Sequence, residues 1–138
     1  MKALSFSIPE LDFDEASDDW YETRIRITES DSGYFEHGVE GPIIAAIIDV
    51  SAVEVASLQY RLKGPTYEFK HIIRKMVPMN TELIVRAKVI RKRLKIAIMK
   101  VEIMDIHRNL LAEGEAKLAV TQKPRHQDNE FIILKPKI

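Results

Sequence analysis

Asp49 sits inside the most apolar stretch of this chain, and its presence there needs a chemical reason. From Pro42 to Leu58 the sequence holds two acids, Asp49 and Glu54, and no base. Wound as a helix, it spreads Ile43, Ile44, Ile47, Ile48, Val50, Val53 and Val55 around the whole cylinder. A helix apolar on every side is expected to be buried. An ionised carboxylate inside it costs several kcal/mol unless it is paired or neutralised. Asp49 is therefore either an acid or base that does chemistry or a structural acid bonded to a neighbouring donor. A membrane span is a third reading. The run is on the short side of the roughly 20 residues a bilayer needs, and an acid near its middle speaks against it.

Other reactive side chains flank this stretch. Glu40-Gly41-Pro42 opens it, and His37-Gly38 lies just upstream. An acid such as Glu40 is favoured at the positive end of a helix whether it handles a proton or only caps it. Glu54 follows Asp49 by five positions, about 140° around a helix, and so faces elsewhere. It reads as a polar helix residue. His71, His107 and His126 lack metal-ligand spacing and read as surface or structural. Arg91-Lys92-Arg93-Leu94-Lys95 is a basic cluster, with Arg74 and Lys75 earlier in the chain. Its simplest reading is solvated charge at a turn. Contact with a polyphosphate is the functional alternative. Nucleic acid is excluded, because the cluster lacks interleaved aromatics and the chain has no net positive charge.

Those residues must be positioned by one domain. The chain has 138 residues, enough for a single core. Its 21 basic and 21 acidic residues cancel, and it has no cysteine, which removes disulfides, thiolate metal sites and cysteine nucleophiles. Met1 to Pro9 lacks the features of a secretory signal, so a cytoplasmic protein is expected. Abundant Ile, Lys, Arg and Glu with scarce Asn and Gln is a thermophile-like bias.

Residues 1–19 read as an acidic arm, extended or a short helix, residues 20–121 as the core and 122–138 as a polar tail ending in an apolar Phe131 to Leu134. Within the core, Tyr21 to Thr28 alternates like a strand, and Pro42 suits the first turn of a helix. Lys63-Gly64-Pro65 is expected to stop whatever follows the helix. From Thr66 the period becomes two: Thr66 to Val77, Glu82 to Ile90, Lys95 to Met104 and Leu110 to Val120 are strands. Arg91-Lys92-Arg93 and Asp105 to Asn109 are the turns between them. The order predicts an α+β fold, a curved antiparallel sheet of five to six strands wrapped around one long buried helix. Exposed edges of such a sheet invite pairing with a second subunit.

Here the sequence resembles the hotdog-fold acyl-CoA thioesterases, in particular the branch with the phenylacetate-pathway and 4-hydroxybenzoyl-CoA enzymes. The likeness covers Tyr21 to Thr121. That family opens its helix with His-Gly-Gly and carries an acid eight positions after the first glycine; Gly41 and Asp49 keep this interval. Arg74-Lys75-Met76-Val77-Pro78 resembles its basic, Pro-ended third strand, and Leu111-Ala112-Glu113-Gly114-Glu115-Ala116 its penultimate segment. Glu40 replaces the family histidine, Pro42 replaces the second glycine, and His37 lies three residues before Glu40.

The resemblance implies that Asp49 and Gly41 are catalytic, with His37 or Glu40 in the place of the missing histidine. It implies a homodimer or homotetramer, an acyl-CoA substrate and no cofactor beyond the substrate's own coenzyme A. In the functional alternative for the basic residues, Arg74, Lys75, Arg91 and Arg93 meet the coenzyme A phosphates. Physical chemistry agrees. The first N–H groups of a helix are unpaired donors at the positive end of its dipole, able to hold a developing oxyanion. Desolvation among isoleucines would make Asp49 a better general base, and direct attack on the carbonyl stays open as the alternative. Eight helical residues span about 12 Å, so Gly41 and Asp49 of one chain cannot both touch one thioester. Two antiparallel helices in a dimer would bring them together. Two further readings remain: a non-catalytic acyl-CoA-binding or sensing domain, and a hydratase or dehydratase, whose His-containing motif is absent.

Overall fold

The structure is a computed structural model that describes residues 8–13, 15–17, 20–28, 39 and 41–121. In chain order it contains β1 (Glu15–Ser17), β2 (Trp20–Arg26), α1 (Gly41–Gln59), β3 (Leu62–Ile73), β4 (Glu82–Arg93), β5 (Ile96–Met104) and β6 (Leu110–Val120). The strands form one antiparallel sheet in the order β1-β2-β4-β5-β6-β3. β4, β5 and β6 make the expected meander, and β3 crosses over to the far edge beside β6.

Period-two alternation lays Leu83, Val85 and Ala87 of β4, Ala97, Met99, Val101 and Ile103 of β5, and Ala112, Ala116, Leu118 and Val120 of β6 in the core. Onto this face α1 lowers Ile43, Ile44, Ile47, Ile48, Ser51, Ala52, Val55 and Ala56. The helix touches β3, β4, β5 and β6, so the sheet curves along it. By length and composition α1 could cross a membrane. Here its isoleucines are buried on the sheet instead, each contributing about 1.5–3 kcal/mol.

The helix is not enclosed on every side, as its all-round apolar composition predicts. One sheet covers one stripe, and Pro42, Val50 and Glu54 are exposed while Asp49 is half-buried. β3 also differs from expectation. It starts at Leu62 and runs straight through Lys63-Gly64-Pro65. An edge strand has no ladder to break on its open side, and the register shift between Leu62 and Thr66 absorbs the proline. β3 stops at Ile73, where the Arg74 and Lys75 amides turn to donate to the Leu111 carbonyl. Arg91-Lys92-Arg93 belongs to β4, and the turn is Leu94-Lys95. Part of the acidic arm is strand β1, paired with β2. The tail, 122–138, lies outside the described residues.

On the outer face charges alternate. Arg24 meets Glu82 at 3.0 Å, Arg86 meets Glu102 at 2.7 Å, Lys100 meets Glu113 at 2.9 Å, and Lys117 meets Glu68 at 3.2 Å. On the inner face Gly114 is the point of closest approach to the helix. A β-carbon built there would lie 2.7 Å from Ile48 Cγ2 and 2.7 Å from the Lys70 carbonyl oxygen. Only glycine lets β6 pass so near both.

Candidate functional site

Asp49 projects from the shoulder of α1, between its buried stripe and its open face. The Thr66 hydroxyl donates to Asp49 Oδ1 at 2.8 Å. Thr66 lies between two register shifts of β3, one before it and one after, which free its side chain from the regular pleat. A carboxylate with one oxygen held by a hydroxyl and no countercharge among the described residues keeps its second oxygen for water or substrate. The dry, all-apolar surroundings expected for Asp49 are thus replaced by a half-open site with one polar partner.

At the other end of β3, Gly41 begins α1. Its N–H lies in the first helical turn, where no intrahelical carbonyl is available. A β-carbon on Gly41 would meet Ile73 Cδ1 at 3.8 Å, an ordinary contact. Among the described residues packing does not require glycine here, and glycine adds no side chain beside the amide. Val39 N–H donates to the Val77 carbonyl at 2.9 Å and ties the approach to the helix to the segment after β3. His37 and Glu40 lie outside the described residues.

The four cations divide into two pairs. Arg74 and Lys75 stand at the Ile73 end of β3, near Gly41, where Arg74 pairs with Glu113. The Lys100 ammonium and the Arg74 guanidinium hold the Glu113 carboxyl below the usual range, and the hydrogen bond to Glu113 raises Lys100. Arg91 and Arg93, both exposed, stand at the opposite end of the sheet, where Arg93 faces Ile96 and Lys92 lies 5.0 Å from the Tyr60 ring centre. Eleven strand steps, about 35 Å, separate the two ends of β3. In one chain, therefore, these pairs do not form one cluster. Glu54 is exposed on the open face of the helix, and the described residues contain no metal-ligating cluster.

Sequence reasoning missed Thr66, reading it only as the start of a β-prone run. Its signal was the Gly64-Pro65 pair just before it, which disturbs the strand and leaves a hydroxyl where the pleat is irregular.

No family model and no curated protein matches the sequence. Solved structures do match. A Thr-to-Ala mutant of a hypothetical thioesterase from Streptococcus pneumoniae TIGR4 superposes with a TM-score of 0.72 at 13% identity, covering 89% of this chain and 100% of that one. The chain has the hotdog fold. A Streptococcus mutans UA159 protein bound to acetyl CoA matches with a TM-score of 0.64 at 14% identity, covering 87% of each chain. Zebra fish thioesterase superfamily member 2 matches with a TM-score of 0.67 at 13% identity, covering 77% of this chain and 78% of that one.

Proposed function

We propose that this protein hydrolyses an acyl-CoA thioester with water, using Asp49 as the base or nucleophile. The observation that carries the reading is the Thr66–Asp49 hydrogen bond of 2.8 Å beside an open side of the helix. In the general-base form, Asp49 takes a proton from water as its oxygen adds to the thioester carbon. The C–S bond then breaks, and the proton passes to the departing thiolate, giving a carboxylic acid, which ionises in solution, and coenzyme A. In the nucleophilic form, an Asp49 oxygen adds to the thioester carbon and the C–S bond breaks to release the coenzyme A thiolate. Water then opens the resulting anhydride, restoring the Asp49 carboxylate, freeing the acid and supplying the proton that the thiolate takes up. Neither form needs a cofactor beyond the coenzyme A of the substrate.

The second half of the site comes from a second copy. Gly41 and Asp49 are about 12 Å apart along α1, too far for one reacting carbonyl. β3 is an edge strand whose regular half pairs with β6 from Glu68 to Ile73 without a shift. Two such halves pairing antiparallel would set Ile73 of one copy beside Glu68 of the other. Gly41, which packs near Ile73, would then arrive at the Asp49–Thr66 end of its neighbour. The same exchange brings Arg74 and Lys75 of one copy toward the sheet end that carries Arg91 and Arg93 of the other, a cationic border suited to nucleotide phosphates.

The structural neighbours lend support. The pneumococcal protein has been solved with coenzyme A and as Asp-to-Ala and Thr-to-Ala mutants. Those are the residue types that meet here as Asp49 and Thr66.

Pro42 favours a second reading, an acyl-CoA binder without turnover, because the first two helical residues offer one N–H instead of two. Thiol release across short, long and aryl acyl-CoAs decides between them. Asp49→Ala should lower kcat at least about a hundredfold while the protein stays folded. Tight binding without thiol release would sink hydrolysis and favour sensing, and unchanged turnover in the variant would remove Asp49 from the mechanism.

A further inference from the structure

His71 lies on the same inner face of β3 as the residues already described. It pairs across the ladder with Gly114, and a β-carbon built on Gly114 would be 3.2 Å from His71 Cβ and 2.7 Å from Ile48 Cγ2. The His71 side chain therefore leaves the strand toward the helix, beside the residue that precedes Asp49. Two positions earlier, Phe69 stacks on it with ring centres 5.5 Å apart and an interplanar angle of 25°. Two positions later, Ile73 touches the Gly41 site. Although it faces inward, His71 is exposed, and its ring makes no hydrogen bond among the described residues.

We propose that His71 is a catalytic residue: its imidazole N–H donates to the thioester oxygen held at Gly41, supplying the proton donor that Pro42 lacks. Same-face neighbours on a strand are about 7 Å apart. Ile73, the next residue on this face, lies against Gly41, so the imidazole stands one same-face step from the residue that borders the Gly41 amide. Imidazole carries at least one N–H whether neutral or protonated, so the donor is present throughout the working pH range. No proton is transferred. The ring stabilises negative charge as it builds on oxygen, and Phe69 holds the ring plane. In the antiparallel pair His71 travels with Gly41 to the Asp49 of the other copy.

This inference rests on the thioesterase reading, and two substitutions separate it from a packing role. His71→Phe keeps a flat ring against Phe69 and removes the donor. His71→Gln keeps a donor and removes the ring. With a hydrolysed acyl-CoA, His71→Phe should lower kcat about a hundredfold or more, the usual loss for one oxyanion donor, with KM little changed. His71→Gln should retain activity to within about tenfold. Melting temperatures of both variants confirm that they fold. Full activity of His71→Phe alongside a damaged His71→Gln would make His71 a packing residue and overturn the proposal while hydrolysis stands. Absence of thiol release by the unmodified protein would overturn the thioesterase reading, and this role with it.

Discussion

Substituting Gly114 by alanine tests the seat on which α1 rests. The new methyl would sit 2.7 Å from Ile48 Cγ2 and 2.7 Å from the Lys70 carbonyl oxygen. Carbon atoms in contact settle at about 3.5–4.0 Å, so the Ile48 contact alone is about 1 Å too short. Ile48 can rotate, but the Lys70 oxygen is backbone and moves only if β3 and β6 part. Overpacking by one methyl costs about 1–3 kcal/mol, and a simultaneous clash with side chain and backbone belongs near the upper end. Alanine returns about 0.4–1 kcal/mol through the unfolded chain, leaving a net loss of about 2 kcal/mol. For a domain of this size that lowers Tm by about 6–8 °C. Thermal and urea unfolding would measure it, in the native background and in Ile48→Ala. With Ile48 truncated one of the two short contacts disappears, and the Gly114→Ala penalty should fall by about 1 kcal/mol. An unchanged Tm, or an equal penalty in both backgrounds, would refute the close-approach argument.

Three further outcomes follow from the same geometry. Thr66→Val removes the donor to Asp49, a bond to a charged group contributing about 1.5–3 kcal/mol, so kcat should fall about tenfold to a hundredfold. Thr66→Ser should restore it, and a fully active valine variant would show that the bond is incidental. Mixing an Asp49→Ala chain with a Gly41→Trp chain should recover about a quarter of native activity, since half the dimers are mixed and each keeps one intact site. A monomer by sedimentation that still hydrolyses thioesters would end the shared-site scheme. Glu113 is held below its ordinary value of 4.5 by Lys100 and Arg74, so its contribution is complete above that pH and is lost as pH falls through the lower folded value. Glu113→Gln should therefore flatten the decline in urea midpoint on acidification below about pH 4.5; an unaltered acid limb would mean the two cations add nothing.

The sequence made the helix and the last three strands legible because their burial is periodic and local. Pro42 to Leu58 became Gly41–Gln59, and the alternation in Leu110 to Val120 reproduced β6 without adjustment. What escaped was set by neighbours that sequence does not display. Lys63-Gly64-Pro65 looked like a terminator, and it is strand only because β3 lies at an edge with a register shift to absorb it. Arg91-Lys92-Arg93 looked like a turn, yet these residues continue β4 because β5 extends far enough to pair with them. The sequence singles out Asp49 as a candidate by its interval from Gly41 and its apolar neighbours along the chain, and the structure places it half-buried instead of dry. Its partner Thr66 is not singled out, since the contact joins residues on different elements and depends on how the helix crosses the strand.

The charges on the outer face act as an alignment code. Each exposed ion pair contributes at most about 1 kcal/mol, so their importance does not lie in strength. The β4–β5 and β5–β6 pairings have tight turns to fix their alignment, whereas β3 meets β6 with no turn between them. Alternation of inside and outside forbids a slip of one residue but is blind to a slip of two. In the native alignment Glu68 faces Lys117 and Lys70 faces Glu115. A slip of two in one direction would set Glu68 against Glu115, and in the other Lys70 against Lys117. Either error confronts like charges across a ladder, which is unfavourable. The edge strand thus carries its own address, and by finding it delivers Thr66 to the level of Asp49.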